Sequence, residues 1–166
     1  MSAMSTPEKT SGAHPTEISA PDGTPFLDVT RDFDATPARV YRAMSDPELV
    51  ARWLGPRKLE TEIVEYDVRE GGRYRYIQRG PDVPHAEFHG VFHSVEPDAG
   101  IVQTFEWVGA PGQVCLQMTR LAEHGGRTRM TARSVFPSLE AREAALASGM
   151  SHGIRESYER LDELVA

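Results

Sequence analysis

Three residues in one short stretch have side chains suited to hold or process a small molecule. Tyr74, Tyr76 and Gln78 alternate with Arg73, Arg75 and Ile77, the period of a strand, so all three share one face. A sealed core would use Phe, Val or Leu there, because a buried hydroxyl or amide needs a hydrogen-bond partner. The wider aromatic set is Trp53, Tyr66, Phe88, Phe92, Phe105, Trp107 and Tyr158, joined by Met118, Met130 and Met150. Together these residues suggest an apolar pocket with a few polar tips. His85, His89 and His93 have a spacing that invites a metal, but four residues of strand span about 13 Å, too far for two of them to share an ion. Either His89 or His93 could still act alone in proton transfer if it faced inward. Glu60, Glu62 and Glu106 are further acids for a pocket, although strand carboxylates are usually solvated. The sequence contains no nucleophile elbow, phosphate loop or zinc signature, and neither a metal nor a cofactor is expected.

Some long element must position these residues, and the final stretch from Ser138 to Val165 supplies it. Leu139, Leu146, Met150, Ile154, Leu161 and Val165 fall on one stripe of a helix. Gly149 and Gly153 lie inside that stripe. A glycine in a helix interior costs roughly 1 kcal/mol against alanine, so the pair suggests a ligand or sheet approaching closely beside Met150.

The rest of the chain reads in order. Residues 1–25, rich in Ser, Thr, Pro and Gly, are expected to be a disordered tail. Phe26 to Phe33 alternates as a strand. Thr36-Pro37 and Asp46-Pro47 each place a capping side chain before a proline, which starts two short helices. From Leu59 onward the pattern is six strands joined by hairpin-length turns, including Glu70-Gly71-Gly72 and Glu96-Pro97-Asp98. The expected fold is therefore α+β. A seven-stranded antiparallel sheet curls around one long C-terminal helix, and two short helices follow the first strand.

The motifs carry a resemblance sharper than this order. Asp34-Ala35-Thr36-Pro37 with Val40, Ser45-Asp46-Pro47-Glu48, Arg52-Trp53-Leu54-Gly55-Pro56, Asp67 to Tyr74, Gly90-Val91-Phe92, and Ser148-Gly149-Met150 with Gly153 resemble the START-like (Bet v 1-like) SRPBCC superfamily. Among its members they are most similar to bacterial relatives of the C-terminal domain of the Hsp90 ATPase activator Aha1. The resemblance implies a helix-grip fold and one SRPBCC/AHSA1-like domain over 26–166. Leu54 and Ile154 stand where many members carry aromatic residues.

The pocket expected between sheet and helix takes in Trp53, Tyr74, Tyr76, Gln78, Phe105, Trp107, Met118, Met130, Gly149, Met150, Gly153 and Ile154. Its expected occupant is a small apolar or aromatic molecule. The superfamily also contains polyketide cyclase/dehydratase-like and hydrolase-like enzymes, and the Aha1 likeness adds a chaperone-associated role; both stand as alternatives. The formal charge is -7 and no stretch concentrates Lys or Arg, which argues against a nucleic-acid partner. With no apolar run long enough to span a bilayer, no membrane partner is expected either. The single cysteine, Cys115, precludes an internal disulfide and fits a reducing, cytoplasmic setting. Exposed strand edges are compatible with a homodimer.

Overall fold

The computed structural model describes residues 14–82 and 85–166. The strands are β1 (Glu17–Ser19), β2 (Phe26–Phe33), β3 (Glu60–Tyr66), β4 (Arg73–Arg79), β5 (Ala86–Glu96), β6 (Gly100–Trp107), β7 (Cys115–His124) and β8 (Arg127–Val135). The helices are α1 (Pro37–Ser45), α2 (Pro47–Trp53), α3 (Leu139–Ala147) and α4 (Met150–Val165). The strands form one antiparallel sheet in the order β1-β2-β8-β7-β6-β5-β4-β3, and β3 to β8 meander because their turns are too short for any crossover.

Two expectations need correction. The sheet has eight strands, because Glu17–Ser19 pairs with Asp28–Thr30 of β2. The expected tail is thus ordered over 14–25, while residues 1–13 lie outside the described residues. Polar composition hid this strand, since its order comes from hydrogen bonds. Arg31 donates to the Thr16 hydroxyl at 2.8 Å, Arg155 to the Thr16 carbonyl at 2.6 Å, and buried Arg142 to the Pro21 carbonyl at 2.7 Å. The C-terminal helix is also two helices, because Gly149 adopts φ 91° and breaks the run. A left-handed residue of this kind ends a helix, and glycine reaches that conformation without steric cost.

The helix starts follow the caps. The Thr36 hydroxyl accepts from the Arg39 amide, the Asp46 carboxylate from the Glu48 amide, and the Ser138 hydroxyl from the Ala141 amide. Pro37 and Pro47 open α1 and α2, where a missing N–H removes no helical bond.

Alternation settles which rows face α4. Leu27, Val29, Arg31 and Phe33 are buried on β2, while the residues between them are half-buried. The register carries that face across the sheet through Thr128 and Met130 to Leu121. The core lies there in three parts. One cluster joins Phe33, Val40, Trp53, Met130, Leu161 and Val165. A second joins Tyr74, Tyr76, Phe92 and Ile101, and a third joins Leu27, Cys115 and Phe136 with Leu146, Met150 and Ile154 packed against it. The opposite, convex face carries ladders of charge such as Arg133–Asp28 and Arg129–Asp32, both at 2.8 Å.

Candidate functional site

The concave face between the sheet and α4 gathers part of the expected set. Tyr74 and Tyr76 lie there, buried, in continuous ring contact with their neighbours. Centroids are 6.2 Å apart for Tyr74–Tyr76, 5.2 Å for Tyr76–Phe88 and 5.3 Å for Phe88–Phe105. Near-parallel rings at these separations are favourable beyond their area burial. Phe105 packs against both the second and third clusters, at the middle of the face. Met150 and Ile154 approach from α4 on the side of the third cluster. Gln78 also points inward, where it fills the space beside Gly55; a Cβ on Gly55 would come within 2.3 Å of its amide nitrogen.

The hydroxyls of this face differ in how they are held. Tyr74 donates to the carbonyl of Thr104, two strands away, by crossing over Gly90 of β5. A Cβ on Gly90 would lie 2.1 Å from that carbonyl and 2.7 Å from the Tyr74 ring, so the crossing requires glycine. The Val91 amide donates to the Thr104 hydroxyl at 2.9 Å, so the β5–β6 pairing is replaced locally by side-chain bonds. Burial raises the Tyr74 pKa above the ordinary tyrosine value, while the Gln103 amide beside it acts in the opposite direction. Tyr76 is only 7% exposed, and its hydroxyl has no hydrogen-bond partner among the described residues. Burial raises its pKa well above the ordinary value. Tyr158, stacked on Trp53 at 6.2 Å, is likewise without a hydroxyl partner among the described residues, and burial raises its pKa to about 12. These phenols therefore stay neutral at physiological pH and can donate or accept one hydrogen bond each.

Other expected residues lie elsewhere. Trp53 and Met130 belong to the sealed first cluster, and the Trp53 indole donates to the Ala43 carbonyl at 2.8 Å. Trp107 is 48% exposed at the end of β6. Met118 faces the convex side, paired with Val102 and Arg133. Gly149 forms the α3–α4 joint with open space around it, and Gly153 faces Pro56 at an ordinary 3.7 Å, so neither glycine makes room against the sheet. His89 and Glu106 pair at 2.9 Å on the convex side, and Glu60 and Glu62 are exposed on β3. No group of His, Cys, Asp or Glu suited to a metal occurs among the described residues. Cys115 is buried, and burial pushes its thiol up to about 11, so it is inert as a nucleophile.

Two features escaped the sequence reading. The first is a row of inward polar side chains, with Gln103 opposite Gln117 and Gln117 opposite Ser134. The second is a buried ion pair, Arg31 with Asp162, at 3.1 Å; each residue is 3% exposed. It ties α4 to β2 at the end of the face away from the Tyr76–Phe105 rings. A surface cavity of about 480 Å³ lies outside the concave face, between α2, the β3 edge and α4. Its Arg57 and Arg79 are already paired with Glu163 and Glu62, which makes it a solvated, charge-balanced groove.

A curved antiparallel sheet gripping a C-terminal helix, with an aromatic and polar inner face, defines a helix-grip protein of the SRPBCC type. The chain belongs to the Activator of Hsp90 ATPase homolog 1-like family, whose profile matches residues 34–166. Solved structures agree on the fold. Protein Ms6760 from Mycobacterium smegmatis superposes with a TM-score of 0.85 at 23% identity, over 92% of this chain and 98% of that one. A protein from Arthrobacter aurescens gives 0.83 at 26% identity, over 90% of each chain. DynU16, from the dynemicin biosynthetic locus, gives 0.65 at 22% identity, over 86% of this chain and 47% of its own. A comparison with curated proteins returned no match. No described helix is long and apolar enough to cross a membrane.

Proposed function

We propose that this protein binds a small, largely apolar or aromatic molecule between the concave face and α4. The observation that carries this reading is the run of inward rings Tyr74, Tyr76, Phe88 and Phe105, in which the Tyr76 hydroxyl has no partner in the described protein. Stability alone gives no reason for a hydroxyl there, since phenylalanine would supply the same ring to the row. The Tyr76–Phe88–Phe105 rings offer a wall for the ligand, and Met150 and Ile154 offer the opposite wall. A melting screen of the full chain against aromatic and lipid-like compounds tests this. A ligand present at about a hundred times its Kd should raise Tm by roughly 5–10 °C. A flat screen across both compound classes would sink the reading.

A second reading, a polyketide cyclase/dehydratase-like enzyme, draws on the fold shared with DynU16, a protein of a biosynthetic locus. Its acid–base groups would be the inward phenols, since His89 and Glu106 face the other way. Phenols with raised pKa values serve as proton donors rather than bases. This reading therefore predicts turnover that Tyr76→Phe reduces at least tenfold without weakening binding equally. An unchanged rate in that variant would remove it.

A further inference from the structure

The convex face of the sheet is not charged throughout. The register carries one row across it from Phe26 on β2 through Val135 and Leu116 to Thr104 on β6. The Val91 amide reaches the Thr104 hydroxyl, which extends that row to β5. Met118 and Val102 lie opposite each other in the next row. Val114 stands two residues before Leu116 and shares its side of the strand. Val91, Val114 and Leu116 are 43%, 41% and 38% exposed. Residues 107–118 carry no charge at all. Single apolar side chains on a surface are ordinary, whereas a contiguous patch marks contact with another molecule.

Charge selects that molecule. Arg133 and Glu106 border the patch at opposite points about Leu116. Arg133 lies on β8 opposite Met118, two residues one way along the sheet. Glu106 lies on β6 two residues beyond Thr104, the other way. The Arg133 guanidinium gives Nε and Nη2 to Asp28 and lies 4.3 Å from the Phe26 ring centroid, while its Nη1 has no partner among the described residues. Glu106 meets His89 at 2.9 Å and accepts from the Gly112 amide at 2.6 Å. A carboxylate has acceptor sites beyond those two. An anionic membrane or nucleic acid would call for a basic border, and a basic peptide for an acidic one. One cation and one anion placed opposite each other about an apolar centre are complementary to the same surface turned over, as an isologous contact requires.

We infer that the convex patch is the contact between two copies of this chain in a two-fold dimer. The axis lies in the contact plane and passes over Leu116. Leu116 then meets its own copy, and Arg133 of each protomer meets Glu106 of the other. This arrangement makes the two sets of strands cross steeply, which suits two convex faces. Such faces touch over a small area, so the association is weak, with a Kd on the order of 10 μM. The contact is independent of whatever the inner face holds.

Sedimentation equilibrium of the full chain from about 1 to 300 μM brackets that Kd and tests the proposal. The expected result is a monomer–dimer equilibrium that stops at two. Leu116→Glu brings two carboxylates together on the axis and should weaken association at least about tenfold, with the dilute protein melting as before. Arg133→Glu and Glu106→Arg should each weaken association as well. An equimolar mixture of those two single variants should associate again, because the heterodimer has opposite charges at both contacts. A purely structural effect of either substitution would not be rescued by mixing. If Glu106→Arg fails to fold, a mixture of Leu116→Glu with Leu116→Lys takes its place, since those two side chains meet on the axis. A chain that stays monomeric over the whole range, assembly that continues past two, dimers that survive Leu116→Glu, or a mixture that stays monomeric each overturn the inference.

Discussion

Polar groups are buried at two places on the inner face, and the two are built on opposite terms. At one end Arg31 meets Asp162 at 3.1 Å, its guanidinium also donates to Thr16, and β1 pairs with β2 alongside. Toward the other end, Tyr76, Gln117, Thr119 and Ser134 have no partner in the described protein. The first site pairs its charges within the chain but leaves Arg31 Nε and Asp162 Oδ1 buried without a partner, whereas the second is built of neutral groups, and none of their polar atoms is sealed in unpartnered. Burial alone therefore does not separate structural polar groups from functional ones. The difference lies between opposite charges paired inside the chain and neutral groups left open, and it can be tested one side at a time.

The largest effect belongs to the ion pair. Asp162→Leu strands a buried guanidinium and should cost about 3–5 kcal/mol in urea unfolding. Arg31→Met combined with Asp162→Leu should recover most of that loss, because no buried charge remains. A double variant as unstable as the single one would mean that the pair also sets how β1 docks. Next comes Gly90→Ala, whose Cβ would collide with the Thr104 carbonyl and the Tyr74 ring. It should cost about 1–3 kcal/mol and, by displacing the ring wall, weaken ligand binding as well. A variant with native stability would show that the crossing of Tyr74 is dispensable.

Alkali should act through the buried phenols. Burial raises the Tyr158 pKa from its ordinary 10 to about 12, and raises those of Tyr66, Tyr74 and Tyr76 too. Between those values the unfolded chain has released protons that the folded one retains. Stability should hold level up to about pH 10 and then fall as pH rises toward 12. Tyrosinate absorbance rising only together with loss of the folded signal is the expected outcome; early, reversible ionisation of these rings would contradict their burial. The smallest effect is that of Tyr76→Phe. With no protein partner to lose, it should change stability by less than about 1 kcal/mol while reducing ligand affinity. A loss of stability as large as that of Asp162→Leu would erase the contrast between the two sites.

The fold was legible because alternation, caps and turns all agreed. β2 shows a clean period of two, and Pro37 and Pro47 sit where a helix begins. β1 was not, since its three residues follow Thr16, which is held by arginines 15 and 139 positions away, and that carries no local signal. The site was half legible. Tyr74 and Tyr76 stood out as polar-tipped rings in a row, and both are inward. On β7 the same rule failed, because Leu116 and Met118 form its more hydrophobic side and yet face outward. The inward Gln117 and Thr119 carry no apolar signal that would mark their side of the strand as the inner one. A strand whose inner side is polar reverses the pattern that betrays a core. The helix glycines misled differently: Gly149 ends α3 and Gly153 rests against Pro56, so their purpose is backbone geometry and packing rather than space for a ligand.

The crossing of Tyr74 over Gly90 also bears on how such a chain can change over generations. The phenol at position 74 reaches Thr104 only while position 90 has no side chain. Alanine at 90 would meet the ring at 74 and, at 2.1 Å, the backbone carbonyl of Thr104, so shortening residue 74 removes only one of two obstacles. Position 90 is therefore held to glycine by the backbone of β6 as well as by the phenol that passes over it.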